Sequence, residues 1–561
     1  MLEFEAKSRF PSPPAIAGLG LAGIAALLTV LFAGLVAYVA MYDAPYWDLW
    51  QHINRDNLLS DLFARNNEHP VVTNRLMFWL DDQLFGASSR FVQIASLLML
   101  AVQVALFGWL ARMAGIRRAF LLVAPVSAVF IFYPFGFENT IWIFQVSMVL
   151  AFTSALGAFT CVAAHARTGS LLALCGGIVF SILAVLSFAN GVFVPTFAFA
   201  MAFWLKPKSS IPLLLIAIAA WVWQLSASGG GPGVAFPPDA PSAIIVHFFA
   251  QLGAPFGWAA GYAEHVGIRI NNQHVAILIG ACVALLSGLA IVFVGLRARR
   301  NPAAVATAAV ILFALATAAL VALSRFTYGP EQALSSRYNI NVALLYSALL
   351  IVALVALNQA GEKTRSWLVW TGPVMTLPLY MLALSSAVIF VNLTGRYRGA
   401  LEGTIALTAG VRDSDRIGQL SFDVDMAERE TADFRKNHKW MFAAPITLRV
   451  GGKLAGEEMN VPVCKGASWA VSSVDEAEGF RKAEGKLPRQ QLSVGAIHVL
   501  ITDASGTVSG YGRIPRRASD LNPFAQQDGA IIDWIGRIRP NTQAPYRAWL
   551  ADDHALRCSL R

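Results

Sequence analysis

The sequence predicts a polytopic α-helical membrane protein of about eleven transmembrane helices, followed by a soluble, mainly β C-terminal domain. Three observations predict it. The 561-residue chain is 56% hydrophobic and only 14% charged, where soluble domains run at about a quarter charged. Its apolar residues are gathered in runs of the roughly 20 residues that a helix needs to cross a bilayer core. After about residue 395 the pattern changes to alternation of period two broken by glycine-rich turns, as short strands require.

The first apolar run, Ala15 to Met41, is too long for a signal-peptide core and lacks a small-residue cleavage site, so it is expected to remain as a membrane helix. Candidate spans follow at 14–41, 91–113, 119–134, 142–164, 170–188, 191–205, 210–226, 273–296, 302–324, 340–358 and 367–394. Ile244 to Tyr262 is also apolar, but a further span there would put the Arg297, Arg299 and Arg300 cluster on the wrong side, so a re-entrant or interfacial segment is expected.

Orientation follows from the cations. Lys7 and Arg9, Arg117 and Arg118, Arg167, Lys206 and Lys208, Arg297 to Arg300, and Lys363 and Arg365 fall on alternate loops. By the positive-inside rule those loops and the N-terminus are cytoplasmic. The net charge of +9 is accounted for in this way and implies no nucleic-acid partner. The outer side then receives the first loop, 42–90, the turns at 137–139 and 188–191, the flexible stretch 226–241, residues 324–339 and the tail.

Residues 1–395 thus form a transmembrane domain and 396–561 an extracytoplasmic one. Residues 411–441 read as an amphipathic helix, and ITLRVGG, QLSVGAIHVLITDASGTVSGYGRI and GAIIDWIGRIRP read as strands. Cys161, Cys175 and Cys282 lie in apolar runs and act there as small hydrophobes. Cys464 and Cys558 lie in the tail, where an oxidising compartment permits one disulfide, and nothing in the sequence brings the two together. There is no internal repeat and no heptad seam.

Candidate chemistry gathers on the outer loops. Asp43 and Asp48 sit among Tyr42, Tyr46, Trp47 and Trp50, on a stretch whose apolar spacing predicts an amphipathic helix with its aromatics at headgroup depth. The plainer reading is that both acids solvate a helix end. Glu68, His69, Asn74 and Arg75 follow closely; adjacent Glu and His lack the spacing of a helical zinc pair, and positioning an anion or hydroxyl suits them better. Glu138, Asn139 and Gln145, then Asn190, then Arg325, Arg337 and Tyr338, lie at outer helix ends, where ionisable groups usually face a cavity. Arg337, at a helix start, is the best phosphate ligand: guanidinium binds phosphate bidentately and a helix N-terminus adds N–H donors.

The sequence contains no P-loop, no strand-linked GxGxxG, no HExxH and no His/Cys metal spacing. The cytoplasmic loops are too short to house a nucleotide-binding domain. Any donor substrate must therefore be available at the outer face, where nucleotide sugars and ATP are normally absent.

These features together resemble the GT-C-type membrane glycosyltransferases, which take sugar from a polyprenyl-phosphate carrier outside the membrane. The resemblance is carried by D-x-x-Y-W-D-x-W from Asp43 to Trp50, by N-E-H followed by Arg75, by F-E-N…F-Q at 137–145, by F-A-N-G…P at 188–195, by S-R-Y at 336–338, and by the soluble tail. A bacterial branch with W-D-x-W and N-E-H-R in this loop is more similar still, with Pro70 here standing where that branch has Arg.

The resemblance implies a GT-C-like fold, a polyprenyl-phosphate-linked sugar donor, a glycan or lipid-linked acceptor and contact with membrane lipid. A first-loop acid serves as general base, Asp48 first and Asp43 second, and the reaction inverts by single displacement. Some members of the class use a divalent cation, magnesium or manganese, and others do not; in the former case Asp43, Asp48 and Glu68 would supply oxygen ligands.

Two readings from other classes compete. A lipid-glycan flippase or other transporter calls for ionisable residues near mid-helix and symmetry-related repeats. A non-catalytic assembly protein leaves the outer polar clusters without a purpose.

Overall fold

The computed structural model describes residues 13–39, 44–51, 61–66, 69–116, 119–226, 237, 240–262, 267, 270–360, 377–442, 452–454, 459–474, 480–488, 497–514, 531–540, 542–552 and 555–561. The chain divides into two compact units. One comprises Met1–Tyr38, Leu59–Leu76 and Gln93–Phe390, and the other Val39–Leu58, Met77–Val92 and Val391–Arg561.

The longer helices, in chain order, are α1 (Pro13–Val39), α2 (Val72–Phe85), α3 (Arg90–Met113), α4 (Ala119–Ile131), α5 (Val146–Thr168), α6 (Leu171–Ser187), α7 (Phe193–Leu205) and α8 (Ile211–Ser226). They continue with α9 (Ala240–Leu252), α10 (Ala254–Gly261), α11 (Asn272–Phe293), α12 (Pro302–Arg325), α13 (Asn339–Gln359), α14 (Leu377–Ala409) and α15 (Val424–Asn437). Among the described residues six helical stretches are long and apolar enough to cross a membrane, and five shorter apolar helices accompany them. Ten of the eleven expected spans coincide with one of these; of the eleventh, 367–394, Leu377–Phe390 is an apolar helix and 367–376 lie outside the described residues. Residues 244–262 form no straight span; α9 and α10 meet at 75°.

In the first unit α5 is the central helix, buried along nearly its whole length. Phe152 and Phe159 both meet Phe313 of α12, at 5.3 and 6.3 Å between ring centroids. Its polar residues are bonded, as burial in an apolar bundle demands: Thr153 Oγ1 donates to Val149 O and accepts from Gln103 Nε2 of α3. Connections at the α5 C-terminus are tied by His165, whose ring nitrogens lie 2.8 Å from Ser170 O and 3.0 Å from Ser209 Oγ, and by Lys206 Nζ donating to His165 O. The basic residues Arg167 and Lys208 share this end with them. Arg117, Arg118, Lys363 and Arg365 lie outside the described residues.

The second unit is built on the last part of α14, on α15 and on a seven-stranded antiparallel sheet. The expected domain boundary near 395 falls inside α14, which runs on to Ala409. Apolar character ends before Arg396, but Arg396 to Thr408 consists largely of residues that helices accept, so helix continues where the membrane pattern stops. Gly399 and Gly403 let the following segment lie directly on this part of the helix. A Cβ at Gly399 would stand 1.9 Å from Gln419 Oε1, and one at Gly403 would stand 2.5 Å from Arg416 O. Glu402, buried beside them, pairs with Arg416 Nε at 3.0 Å.

The strands are β1 (Ser468–Val474), β2 (Arg481–Pro488), β3 (Ile497–Thr502), β4 (Val508–Arg513), β5 (Ile531–Ile538), β6 (Arg547–Asp552) and β7 (Leu556–Leu560), ordered β1-β2-β5-β4-β3-β6-β7. Alternate residues turn inward, as the period-two pattern predicts: Trp534 and Ile538 pack with Leu487, Val499, Ile501 and Leu550. The Cys464–Cys558 disulfide lies in the same core and closes a sequence separation of 94 residues. Of the expected strand ITLRVGG, all but its last residue lies outside the described residues.

Asp413, fully buried, moors the end of α14 to the sheet. It accepts a hydrogen bond from the Tyr511 hydroxyl and pairs with Arg537 Nη1 at 3.1 Å.

Candidate functional site

In the first unit the polar motifs come together through contacts between segments far apart in sequence. The first-loop segment 69–75 reaches two of them. The His69 ring stacks on Phe188 with centroids 4.0 Å apart and planes at 13°. Thr73 Oγ1 donates to Ser187 Oγ at 2.9 Å, and Asn74 Nδ2 donates to Phe144 O at 2.8 Å. Arg75 is buried, 5% exposed, one turn into α2. Upstream, Arg65 donates to Trp223 O at 2.7 Å and Gln224 Oε1 at 3.0 Å, with its guanidinium 5.0 Å from the Trp223 ring.

Between α4 and α5 the chain breaks into short helical turns at Pro134–Gly136, Glu138–Ile141 and Ile143–Gln145. Proline and glycine favour such a break, and it points Glu138 at residues 335–337. Glu138 Oε2 accepts the backbone N–H of Arg337 at 3.1 Å, and Ser335 Oγ lies at 3.5 Å. Asn139 and Gln145 are buried in the same break, at 3% and 5% exposure.

The Arg337 guanidinium lies 6.0 Å from the Trp142 ring and 5.3 Å from the Tyr338 ring, and Tyr338 itself is buried. Asn339 Nδ2 donates to Phe130 O at 3.2 Å. At the F-A-N-G turn, Asn190 Nδ2 donates to Thr317 Oγ1 at 3.1 Å. Gly191 is required there, because a Cβ would stand 2.0 Å from Ala184 O. Arg325 lies over Tyr328 at 5.8 Å.

The contacts thus join His69 and the Asn74–Arg75 turn to the F-A-N-G and F-Q segments, and join F-E-N to S-R-Y. A cleft of about 360 Å³, including its open mouth, lies beside this cluster, walled by Ala33, Val36, Leu100, Phe137, Asn139 and Asn339.

Three sequence expectations need correction or restriction. Tyr46 and Trp50 were expected at headgroup depth, but they are 6% and 2% exposed. Trp50 packs on Phe434 at 5.7 Å and donates from Nε1 to Leu420 O at 3.1 Å, so both rings belong to the core of the second unit. An apolar face built to meet protein reads the same as one built to meet lipid. Among the described aromatics of this stretch, Trp47, 37% exposed, faces outward. The amphipathic helix is seen as one short turn, Trp47–Gln51, and residues 52–60 lie outside the described residues.

Of the N–H donors expected to meet a phosphate at Arg337, its own is taken by Glu138. Asp43 and Glu68 lie outside the described residues, while Asp48 is half-buried in the turn between Trp47 and Trp50 of the second unit. Among the described residues no three His, Cys, Asp or Glu side chains gather as a metal centre, and of the three carboxylates expected in that role only Asp48 is among them.

Sequence reasoning passed over Asp81. It is 2% exposed and accepts Ser89 N–H at 2.9 Å. Burial pushes its carboxyl pKa up and neighbouring Asp82 adds to the rise, against hydrogen bonds from Ser89 and Phe91. Asp82 instead pairs with Lys439 Nζ at 2.7 Å. Nothing in the D-D dipeptide distinguishes the buried acid from the paired one.

The apolar helices and this polar cluster define a multi-pass membrane protein. No known family's sequence profile matches the chain, and no curated protein matches its sequence. Among solved structures it is similar to the crystal structure of ArnT from Cupriavidus metallidurans bound to undecaprenyl phosphate. The identity is 15% and the TM-score 0.32, over 78% of this chain and 81% of that one.

Proposed function

We propose that the protein is a membrane glycosyltransferase of the GT-C type, moving a sugar from a polyprenyl-phosphate carrier to a cell-envelope glycan or lipid acceptor at the outer face. The observation that carries this reading is the joining of the F-E-N and S-R-Y motifs through Glu138 and Arg337, and of the first loop to the F-Q and F-A-N-G motifs through Asn74 and His69. These are the short motifs on which the resemblance to the class rests.

The chemistry follows from the groups involved. The acceptor hydroxyl oxygen attacks the anomeric carbon while the bond from that carbon to the phosphate oxygen breaks, giving inversion. The proton passes to a first-loop carboxylate, Asp48 in preference to Asp43. The lipid phosphate leaves with the bonding electrons and needs charge stabilisation, from a guanidinium or a metal, more than it needs a proton. Asp43, Asp48 and Glu68 would meet a divalent cation with oxygen ligands if the enzyme uses one.

A cytoplasmic position for the Arg167 and Lys208 end of the bundle agrees with the positive-inside rule and leaves the motif end outside. The disulfide Cys464–Cys558 agrees with an oxidising compartment for the C-terminal unit. The testing experiment supplies the purified protein in nanodiscs with labelled polyprenyl-phosphate sugars and envelope glycans. Sugar transfer to an acceptor supports the reading; movement of intact lipid-linked sugar across proteoliposomes without transfer replaces it with transport.

A further inference from the structure

In the second unit two guanidinium groups share one helix end. Arg435 of α15 donates from Nη2 to Thr408 O, in the last turn of α14, at 2.6 Å. Arg539, immediately after β5, lies against the next residues: a Cβ at Gly410 would stand 3.2 Å from its Cδ and 3.6 Å from its Nη1. A helix C-terminus welcomes a cation, but the effect is modest and fades within a turn. Partial burial of the Arg435 guanidinium, and after it the like charge of Arg539, disfavour the charge on Arg435.

Among the described residues neither guanidinium has a carboxylate within ion-pair distance. The acid that senses Arg539 is Asp503, and its Oδ1 is already engaged by Ser505 Oγ at 2.7 Å, Ser505 N at 2.9 Å and Thr507 N at 3.2 Å. The Arg435 side chain is exposed in part, its guanidinium partly buried against Thr408 O, and Arg539 is half-buried, with Nη2 reaching Val508 O at 3.5 Å and Nε lacking a partner. Such a pair is completed by an oxyanion that accepts from both planar forks.

We propose that Arg435 and Arg539 form a subsite for a carboxylate or phosphate carried by a soluble glycan. Resting on the glycosyltransferase reading, this makes the acceptor an acidic polysaccharide or oligosaccharide. Position along α14 favours a soluble anion over a lipid headgroup. Arg396 and Arg398 close the apolar part of the helix, and Thr408 lies a further ten residues along, about 15 Å at the rise of an α-helix.

The test uses the full-length protein in nanodiscs of neutral lipid, with oligogalacturonate as the probe and its methyl ester as the uncharged control. Calorimetry is expected to show binding of the charged oligomer only, weakening with salt and falling roughly tenfold or more in Arg435→Gln and in Arg539→Gln. Arg435→Lys, which keeps the charge and loses the fork, is expected to bind between wild type and Arg435→Gln. Equal binding of the ester, or wild-type affinity in both Gln variants whatever their thermal stability, overturns the subsite. A response to the variants seen only when phosphatidylglycerol is added to the discs, and not with the oligomer, overturns the assignment to a soluble glycan. No turnover enters the measurement, so a failure of the transferase reading is seen separately, as absence of sugar transfer.

Discussion

Glu138 Oε2 accepts the backbone N–H of Arg337 at 3.1 Å, joining two motifs 199 residues apart in sequence. The bond holds the turn from which the Arg337 guanidinium projects, and it needs an acceptor rather than a charge. Glu138→Gln is therefore expected to keep transfer activity within a few-fold of wild type. Glu138→Ala should lower kcat/KM by about 10- to 100-fold, the loss of one hydrogen bond to a charged group. A steady-state comparison of the two checks this, and an inactive Gln variant would give Glu138 a chemical role instead.

Asp413 is expected to control the stability of the C-terminal unit. It is fully buried between the Tyr511 hydroxyl and Arg537. Removing it takes away the buried carboxylate that Tyr511 and Arg537 share, a change that costs about 3 kcal/mol. Urea unfolding followed by limited proteolysis of the sheet should show Asp413→Ala falling by that amount, with transmembrane helicity unchanged.

Loss of the Cys464–Cys558 disulfide should cost about 2–5 kcal/mol, since it restrains a long loop in the unfolded chain. The two cysteines lie 94 residues apart. Ser substitution at both positions, measured by thermal unfolding under non-reducing conditions, is the check. A matching drop should follow when reductant is added to wild type and should be absent from the double variant.

Asp81 gives a pH signature of definite sign. Its folded pKa is raised by burial, with Asp82 adding, so the unfolded chain ionises at lower pH than the folded one. Stability is then untouched below the unfolded value of about 4 and falls as pH rises from there through the raised folded value. Asp81→Asn keeps an acceptor for Ser89 N–H and removes the buried charge. Its unfolding free energy should equal or exceed wild type at neutral pH, and the difference should shrink as pH falls through the raised folded value and be gone below about 4.

The helices were legible because membrane spans announce themselves by composition, whereas Gln145, Asn190 and Arg337 draw attention only because polar residues at helix ends stand out in an apolar chain. Trp50 and Tyr46 were misplaced for the opposite reason: their spacing describes an apolar face and carries no information on whether Phe434 or lipid covers it. The Cys464–Cys558 pairing depends on β7 returning beside residue 463, a tertiary event that no local pattern encodes. Asp413 stands in VRDSDR among other charged residues, and only the register of β4 and β5 brings Tyr511 and Arg537 to it.

The central claim is that a first-loop carboxylate takes the proton from the acceptor during transfer from a polyprenyl-phosphate sugar. The most direct measurement compares single-turnover transfer by wild type, Asp48→Asn and Asp43→Asn with the same labelled donor and acceptor. The account predicts a loss of about 100-fold or more in the Asp48 variant with donor binding retained, in line with the share of rate that general-base catalysis supplies. Full transfer activity in both variants would contradict it.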